Sequence, residues 1–98
     1  MGIGFFIVDT ASEDGLGDFT SFGYSSWSDM RALYEMCPER PGRQLILAVT
    51  SDGAEWGVDD VVQVHQFLSQ AAIDTERHQL LKRIVSLAVQ RGAEMTIA

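Results

Sequence analysis

The side chains best suited to chemistry in this 98-residue chain are one cysteine, two histidines and two pairs of adjacent carboxylates. Cys37 precedes Pro38 at the predicted end of a helix, on its apolar side, where a thiol is typically buried and inert. His65 and His78 have no partner at a spacing typical of a metal site. The sequence also has no G-x-S-x-G elbow and no phosphate-binding glycine loop. We therefore predict no catalytic residue, no cofactor and no metal ion.

The carboxylate pairs are Glu13–Asp14 and Asp59–Asp60. The loop "SEDGLGD" around the first pair does not have the ligand spacing of a calcium-binding EF-hand. The second pair begins a predicted helix, where the positive end of the helix dipole favours acidic side chains. A small enzyme that uses clustered carboxylates remains an alternative, and it would require a deep pocket with an Asp or Glu of raised pKa.

The most distinctive segment is "TSDGAEWGVDD", residues 50–60, which follows the apolar run "QLILAV". As structure, Asp52 and Gly53 form a turn, Trp56 packs at the helix start and Gly57 is its N-cap. As function, acidic side chains surround an aromatic residue of a type that is enriched at protein–protein interfaces. The predicted partner-binding residues are those of this segment and of the first loop: Asp52, Glu55, Trp56, Asp59, Asp60, Glu13, Asp14 and Asp18.

Composition and charge limit the class of protein. Ninety-eight residues with 46% hydrophobic side chains suit one folded domain spanning 1–98. The net charge is −7, and it is unevenly distributed: −10 up to Glu76 and +3 from Arg77 onward. Such a chain repels nucleic acid, whose binding rests on neutralised phosphates, and attracts cationic partners.

The sequence also predicts the compartment. A single cysteine allows no internal disulfide, which is typical of a reducing environment. The opening "MGIGFFIVDT" lacks the basic region of a signal peptide, and no apolar run is long enough for a membrane helix. We expect a soluble cytoplasmic protein that does not bind membranes.

Hydrophobic periodicity predicts an α+β fold, a small three- to four-stranded mixed sheet packed against three helices in the order β(β)αβααβ. Residues 3–9 and 93–98 read as strands, the latter half-exposed, whereas 18–24 is either a returning strand or irregular. A first helix is expected from an N-cap at Ser26 to Cys37. The apolar run 43–50 reads as a central strand, and helices follow over 58–72 and 74–92.

Several of these motifs, in this order, resemble the small bacterial immunity proteins of polymorphic-toxin systems. The resemblance rests on "GYSSW" with Arg31, on "SDGAEW" before a helix, and on the final helix with its closing "RGAEMTIA". At the level of fold only, "AVQRGAEMTI" is also similar to the ending of the barstar-like ribonuclease inhibitors.

The resemblance implies an α+β protein that is not an enzyme and that neutralises a cognate bacterial toxin domain by binding it. From the charge, the toxin domain is expected to be cationic. The alternatives are the carboxylate enzyme and an assembly subunit that forms a homodimer through its last strand and its basic last helix.

Overall fold

The computed structural model describes residues 2–8, 16–50 and 52–98, and the side chains of 3–8, 27–50 and 52–98. Within these ranges the elements are β1 (Gly2–Val8), β2 (Leu16–Gly23), α1 (Tyr24–Glu35), α2 (Arg43–Leu47), β3 (Ala54–Trp56), α3 (Val58–Gln70), α4 (Glu76–Arg91) and β4 (Glu94–Ile97). The strands form one sheet in the order β2-β1-β4-β3, with every neighbouring pair antiparallel. The predicted α+β class is confirmed.

The sheet has one buried and one outer face, and β1 shows both. Ile3, Phe5 and Ile7 are at most 4% exposed, whereas Phe6 and Val8 between them are half-buried. Alternation of this kind is expected when a strand packs one face on a core. The helices supply the rest of that core, with buried side chains from each of α1 to α4.

The last strand lies in the interior of the sheet. β4 pairs with β1 on one side and with β3 on the other, so that Ile97 stands opposite both Phe5 and Ala54. Gly4 and Ala98 extend this ladder by exchanging two backbone hydrogen bonds of 2.7 and 2.9 Å. Met95 and Ile97 are buried and Glu94 is exposed, as the alternation in the sequence predicts.

The two long helices occur where the periodicity predicts them. Gly57 is the N-cap of α3, and the buried side chains of this helix include Val61, Val64 and Leu68, which recur at helical spacing. Thr75 caps α4, accepting a hydrogen bond of 3.1 Å from the His78 backbone N–H. Gly92 ends this helix in the left-handed conformation.

The prediction of a central strand over 43–50 is wrong. Residues Arg43–Leu47 form the short helix α2, preceded by Gly42 in a left-handed conformation. A short apolar run does not distinguish a buried strand from one helical turn, and here only Ile46 and Val49 are fully buried. The strand occurs later, at Ala54–Trp56. The element order is therefore ββααβααβ, with four helices among the described residues and an antiparallel rather than a mixed sheet.

The predicted start of the first helix is also wrong. Helix α1 begins at Tyr24, immediately after β2 ends at Gly23, so Ser26 lies inside the helix. Ser26 is therefore not the N-cap of this helix. The segment 18–24, left open by the sequence, belongs mostly to β2. None of the helices in the described part of the chain combines the length and apolarity that crossing a bilayer requires.

Gly53 is a position where the fold requires glycine. Its φ is +89°, and a Cβ built there would lie 2.2 Å from the backbone oxygen of Ile97. We predict that Gly53→Ala lowers the free energy of unfolding by roughly 1–3 kcal/mol, because a methyl group strains the turn and displaces β4. Urea denaturation followed by circular dichroism measures this.

Gly57→Ala is the matched control, since an added Cβ there meets only Asp60 Oδ2 at 3.9 Å and the backbone φ is −68°. The control should lose less stability than Gly53→Ala. Equal losses would contradict the assignment of strain to the Gly53 turn.

Candidate protein-binding surface

The acidic segment forms a turn, a strand and a helix start in succession. Gly53 donates its backbone N–H to the carbonyl of Thr50 at 2.9 Å, which closes the turn that contains Asp52. β3 follows at the edge of the sheet, and α3 starts after one further residue, Gly57. The predicted turn and the predicted N-cap are both confirmed.

Trp56 lies beneath this surface, because its side chain is only 2% exposed. It pairs with Met95 across the sheet, and its ring centroid lies 6.1 Å from that of Phe5. Phe5 in turn packs 5.3 Å from Trp27. The predicted packing role of Trp56 is therefore observed. Because almost none of its ring is accessible, Trp56 is not placed to contact a partner directly.

Asp60 and Asp59 differ in what they do at the start of α3. Asp60 is half-buried, and its Oδ2 accepts a hydrogen bond of 3.2 Å from the Gly57 backbone N–H. Asp59 is exposed in the same turn, where the helix dipole favours its charge. Asp60 thus stabilises the helix, and Asp59 presents a carboxylate to solvent.

Asp52, Glu55 and Asp59 are exposed, and across residues 2–8, 16–50 and 52–98 none of their carboxylates has a cationic partner. Asp52 donates its backbone N–H to Thr50 Oγ1 at 3.3 Å, and this hydrogen bond does not involve its carboxylate. Exposed carboxylates without an internal partner keep their full charge available to another molecule.

The strand register adds Glu94 to these exposed acids, although in the sequence it lies in the basic part that begins at Arg77. Glu55 stands opposite Thr96, so Glu94, two residues before Thr96, is its diagonal neighbour on the outer face. Diagonal neighbours in antiparallel sheets have Cα atoms roughly 7–8 Å apart. The alternation in "AEMTIA" identifies Glu94 as exposed, but its proximity to Glu55 depends on a pairing that the sequence did not predict. We call Asp52, Glu55, Asp59 and Glu94 the acidic surface.

The backbone of Glu55 faces the open edge of the sheet. Gly4 and Ala98 exchange two backbone hydrogen bonds. Because backbone direction alternates along a strand, Ala98, Thr96 and Glu94 all point their N–H and C=O groups toward β1. Ile97 and Met95 therefore bond β3 through Ala54 and Trp56, and the N–H and C=O of Glu55 point away from β4. A partner at this edge would meet backbone donors and acceptors as well as carboxylates.

The remaining predicted residues belong to the first loop. Glu13 and Asp14 lie outside the described residues, as does any calcium site that they would form. Asp18 is in β2, and its side chain is not among those described.

The other reactive side chains lie elsewhere. Cys37 is half-buried, with its Sγ 3.6 Å from the Leu33 carbonyl, and His65 is half-buried on α3. The described residues include no group of three or more His, Cys, Asp or Glu side chains arranged to hold a metal ion.

His78 is fully buried and forms a pair with Tyr34. Tyr34 Oη lies 2.9 Å from His78 Nδ1, and Nε2 has no hydrogen-bond partner among the described residues. Burial raises the pKa of Tyr34, with a smaller contribution from Cys37. Burial also lowers the pKa of His78 below 6.5, helped by the nearby Lys82 and opposed by Asp74. Both rings are therefore neutral at pH 7, as suits a core contact.

Comparison of the chain with protein-family models, curated proteins and solved structures found no match.

The lowered pKa of His78 predicts acid-sensitive stability. Because the unfolded chain binds this proton more tightly than the folded chain, stability is highest above pH 6.5 and falls as the pH drops through that value. Urea midpoints measured from about pH 7.5 to about pH 5.5 should fall toward the acid end, above the range where most carboxylates titrate.

His78→Gln should flatten this dependence, because it removes the titrating ring while keeping a polar group that can pair with Tyr34. His65→Gln is the control, since it also removes one histidine but from a half-exposed position. An equal flattening in both variants would show that the buried ring is not the cause.

Proposed function

We propose that this protein is an inhibitor of the immunity-protein type, which binds a cationic toxin domain through the acidic surface and occludes it. The observation that supports this most directly is the set of four exposed carboxylates, Asp52, Glu55, Asp59 and Glu94, without internal cationic partners in the described chain. The inhibitor performs no chemistry of its own; its effect is to cover the partner's site.

Electrostatics give such a surface its main advantage. Clustered charges of one sign raise the rate of encounter with an oppositely charged partner, and their effect weakens as salt screens them. The net charge of −7 acts in the same direction at long range. Complementary charge also selects against anionic competitors, because like charges at an interface cost several kcal/mol.

The support beneath the carboxylates suits a preformed binding surface. Trp56, Met95 and Phe5 are buried directly under β3 and its neighbours, and Asp60 fixes the start of α3 through its bond to Gly57. A surface that is already ordered loses little conformational entropy when a partner binds. The open edge at Glu55 adds backbone hydrogen-bonding groups to the contact.

Two alternatives have less support. A carboxylate enzyme needs its acids inside a pocket, whereas these four side chains are exposed. A homodimer formed through the last strand would need a free edge on β4, but both sides of β4 are already paired.

The first test is the salt dependence of association. The partner to use is the C-terminal domain encoded by the adjacent upstream reading frame, provided that it kills cells lacking this chain. We expect the association rate to fall steeply between roughly 20 mM and 500 mM NaCl, because the Debye length shortens over this range. A rate indifferent to salt would remove the electrostatic basis of the proposal.

The second test places the interface. The double variant Glu55→Gln, Glu94→Gln removes two charges from the outer face without altering a cap or a buried side chain. At low salt we expect its association rate with the same toxin domain to fall by roughly 3- to 10-fold. Stopped-flow fluorescence or surface plasmon resonance measures the rate.

Glu35→Gln is the matched control, because Glu35 is an exposed carboxylate on α1 with no cationic partner in the described structure. Its effect should be much smaller per charge removed. An effect per charge equal to that of the double variant would mean that net charge, rather than the acidic surface, governs binding.

A further inference from the structure

A groove between α3 and α4 is lined by positively charged side chains, in contrast to the acidic surface. It has a volume of about 300 Å³ and is lined by His65 and Leu68 of α3 and by Gln79, Lys82, Arg83 and Ser86 of α4. The α4 residues recur at intervals of three and four, so they form one stripe along the helix. Leu68, which is fully buried, supplies an apolar floor.

The polar side chains of this groove are all able to donate hydrogen bonds. Lys82 and Arg83 carry full positive charges, and His65, Gln79 and Ser86 add ring N–H, amide and hydroxyl donors. Among the described residues, no carboxylate lines the groove. Fourteen of the 21 charged side chains in this protein are acidic, so a groove lined by two cations and no acid is a local reversal of its charge.

The two cations have no acidic partner among the residues that the structure describes. Neither Lys82 nor Arg83 forms an ion pair with a carboxylate in the ranges that the structure describes. Lys82 is half-buried, and its charge lies close enough to His78 to lower the pKa of that ring. Both cations line the same groove, so a bound anion would pair with charges that no described carboxylate pairs.

One end of the groove is less positive than the other. Gln79 Nε2 donates a hydrogen bond of 2.8 Å to Asp74 Oδ1, which places a carboxylate just outside the lining residues. The attraction for an anion is therefore strongest at the opposite end, among Lys82, Arg83, Ser86 and His65.

We infer that this groove binds a phosphate group. A phosphate offers several acceptor oxygens and close to two negative charges at neutral pH, which matches two cations and several neutral donors better than a single carboxylate does. The volume lies near the lower limit of small-molecule sites, roughly 300–1,000 Å³, and so suits a phosphate or a small phosphate ester. This inference concerns a different part of the molecule from the acidic surface and does not depend on the proposed inhibitor function.

The test is a titration of the protein with inorganic phosphate at pH 7, followed by ¹H–¹⁵N NMR at constant ionic strength with chloride as the balancing anion. We expect saturable shifts centred on the amides of residues 65, 68, 82, 83 and 86. Acetate, run in parallel, should bind more weakly. Phosphoserine is titrated in the same way, and its affinity is compared with that of inorganic phosphate. The comparison shows whether a phosphate ester or free phosphate is the preferred ligand, and tighter binding of either one supports the proposal.

Matched arginine variants give the control. Arg83→Gln should weaken phosphate binding by roughly tenfold, as expected for the loss of a charge-assisted hydrogen bond. Arg77→Gln removes the same charge from an exposed position of the same helix that lies outside the groove, and should change binding little.

Asp74→Asn should strengthen binding, because it removes the carboxylate at the far end of the groove. Three results would overturn the inference: shifts that do not saturate, equal binding of acetate and phosphate, or equal effects of Arg83→Gln and Arg77→Gln.

Discussion

The pairing of β4 with both β1 and β3 is the interaction on which the rest of the structure depends. It joins residues from the beginning, the middle and the end of the chain in one ladder, with Ile97 opposite Phe5 on one side and Ala54 on the other. β3 has only three residues, and such a short strand has little stability unless it is held by a neighbour. Through β4, the turn at Gly53, the buried Trp56 and the start of α3 are fixed to the core.

Long-range pairing also explains which parts of the fold were predictable from the sequence. Helices α3 and α4 have local signals, namely apolar side chains at intervals of three and four and capping residues at their ends, and both were predicted. The alternation in residues 93–98 likewise identified the buried side of β4, whereas the continuous apolar run of β1 identified a strand but not its buried side. The run 43–50 was assigned wrongly because its apolar residues satisfy either element, and the choice depended on whether a place remained in the sheet. β3, with its acidic and glycine-rich surroundings, occupies that place.

In the candidate site too, features with a local sequence signal could be predicted, and features that depend on long-range pairing could not. Asp52, Glu55 and Asp59 could be identified as exposed acids from the composition of one segment. The proximity of Glu94 to Glu55 could not, because it depends on the register between β3 and β4. Glu94, from the basic C-terminal part of the sequence, lies diagonal to the acidic Glu55. Lys82 and Arg83 instead border a groove that has no acid among its described lining residues.

The central position of β4 has a consequence for synthesis on the ribosome. β1 and β2 are made before β4, but an isolated hairpin is marginally stable in water, and one edge of β1 has no partner strand until residues 94–97 emerge. Until then the backbone groups on that edge of β1 stay unpaired, and they are open to pairing with another chain. A chain lacking residues 94–97 would contain the sequences of α1 to α4 but no strand to join β1 to β3.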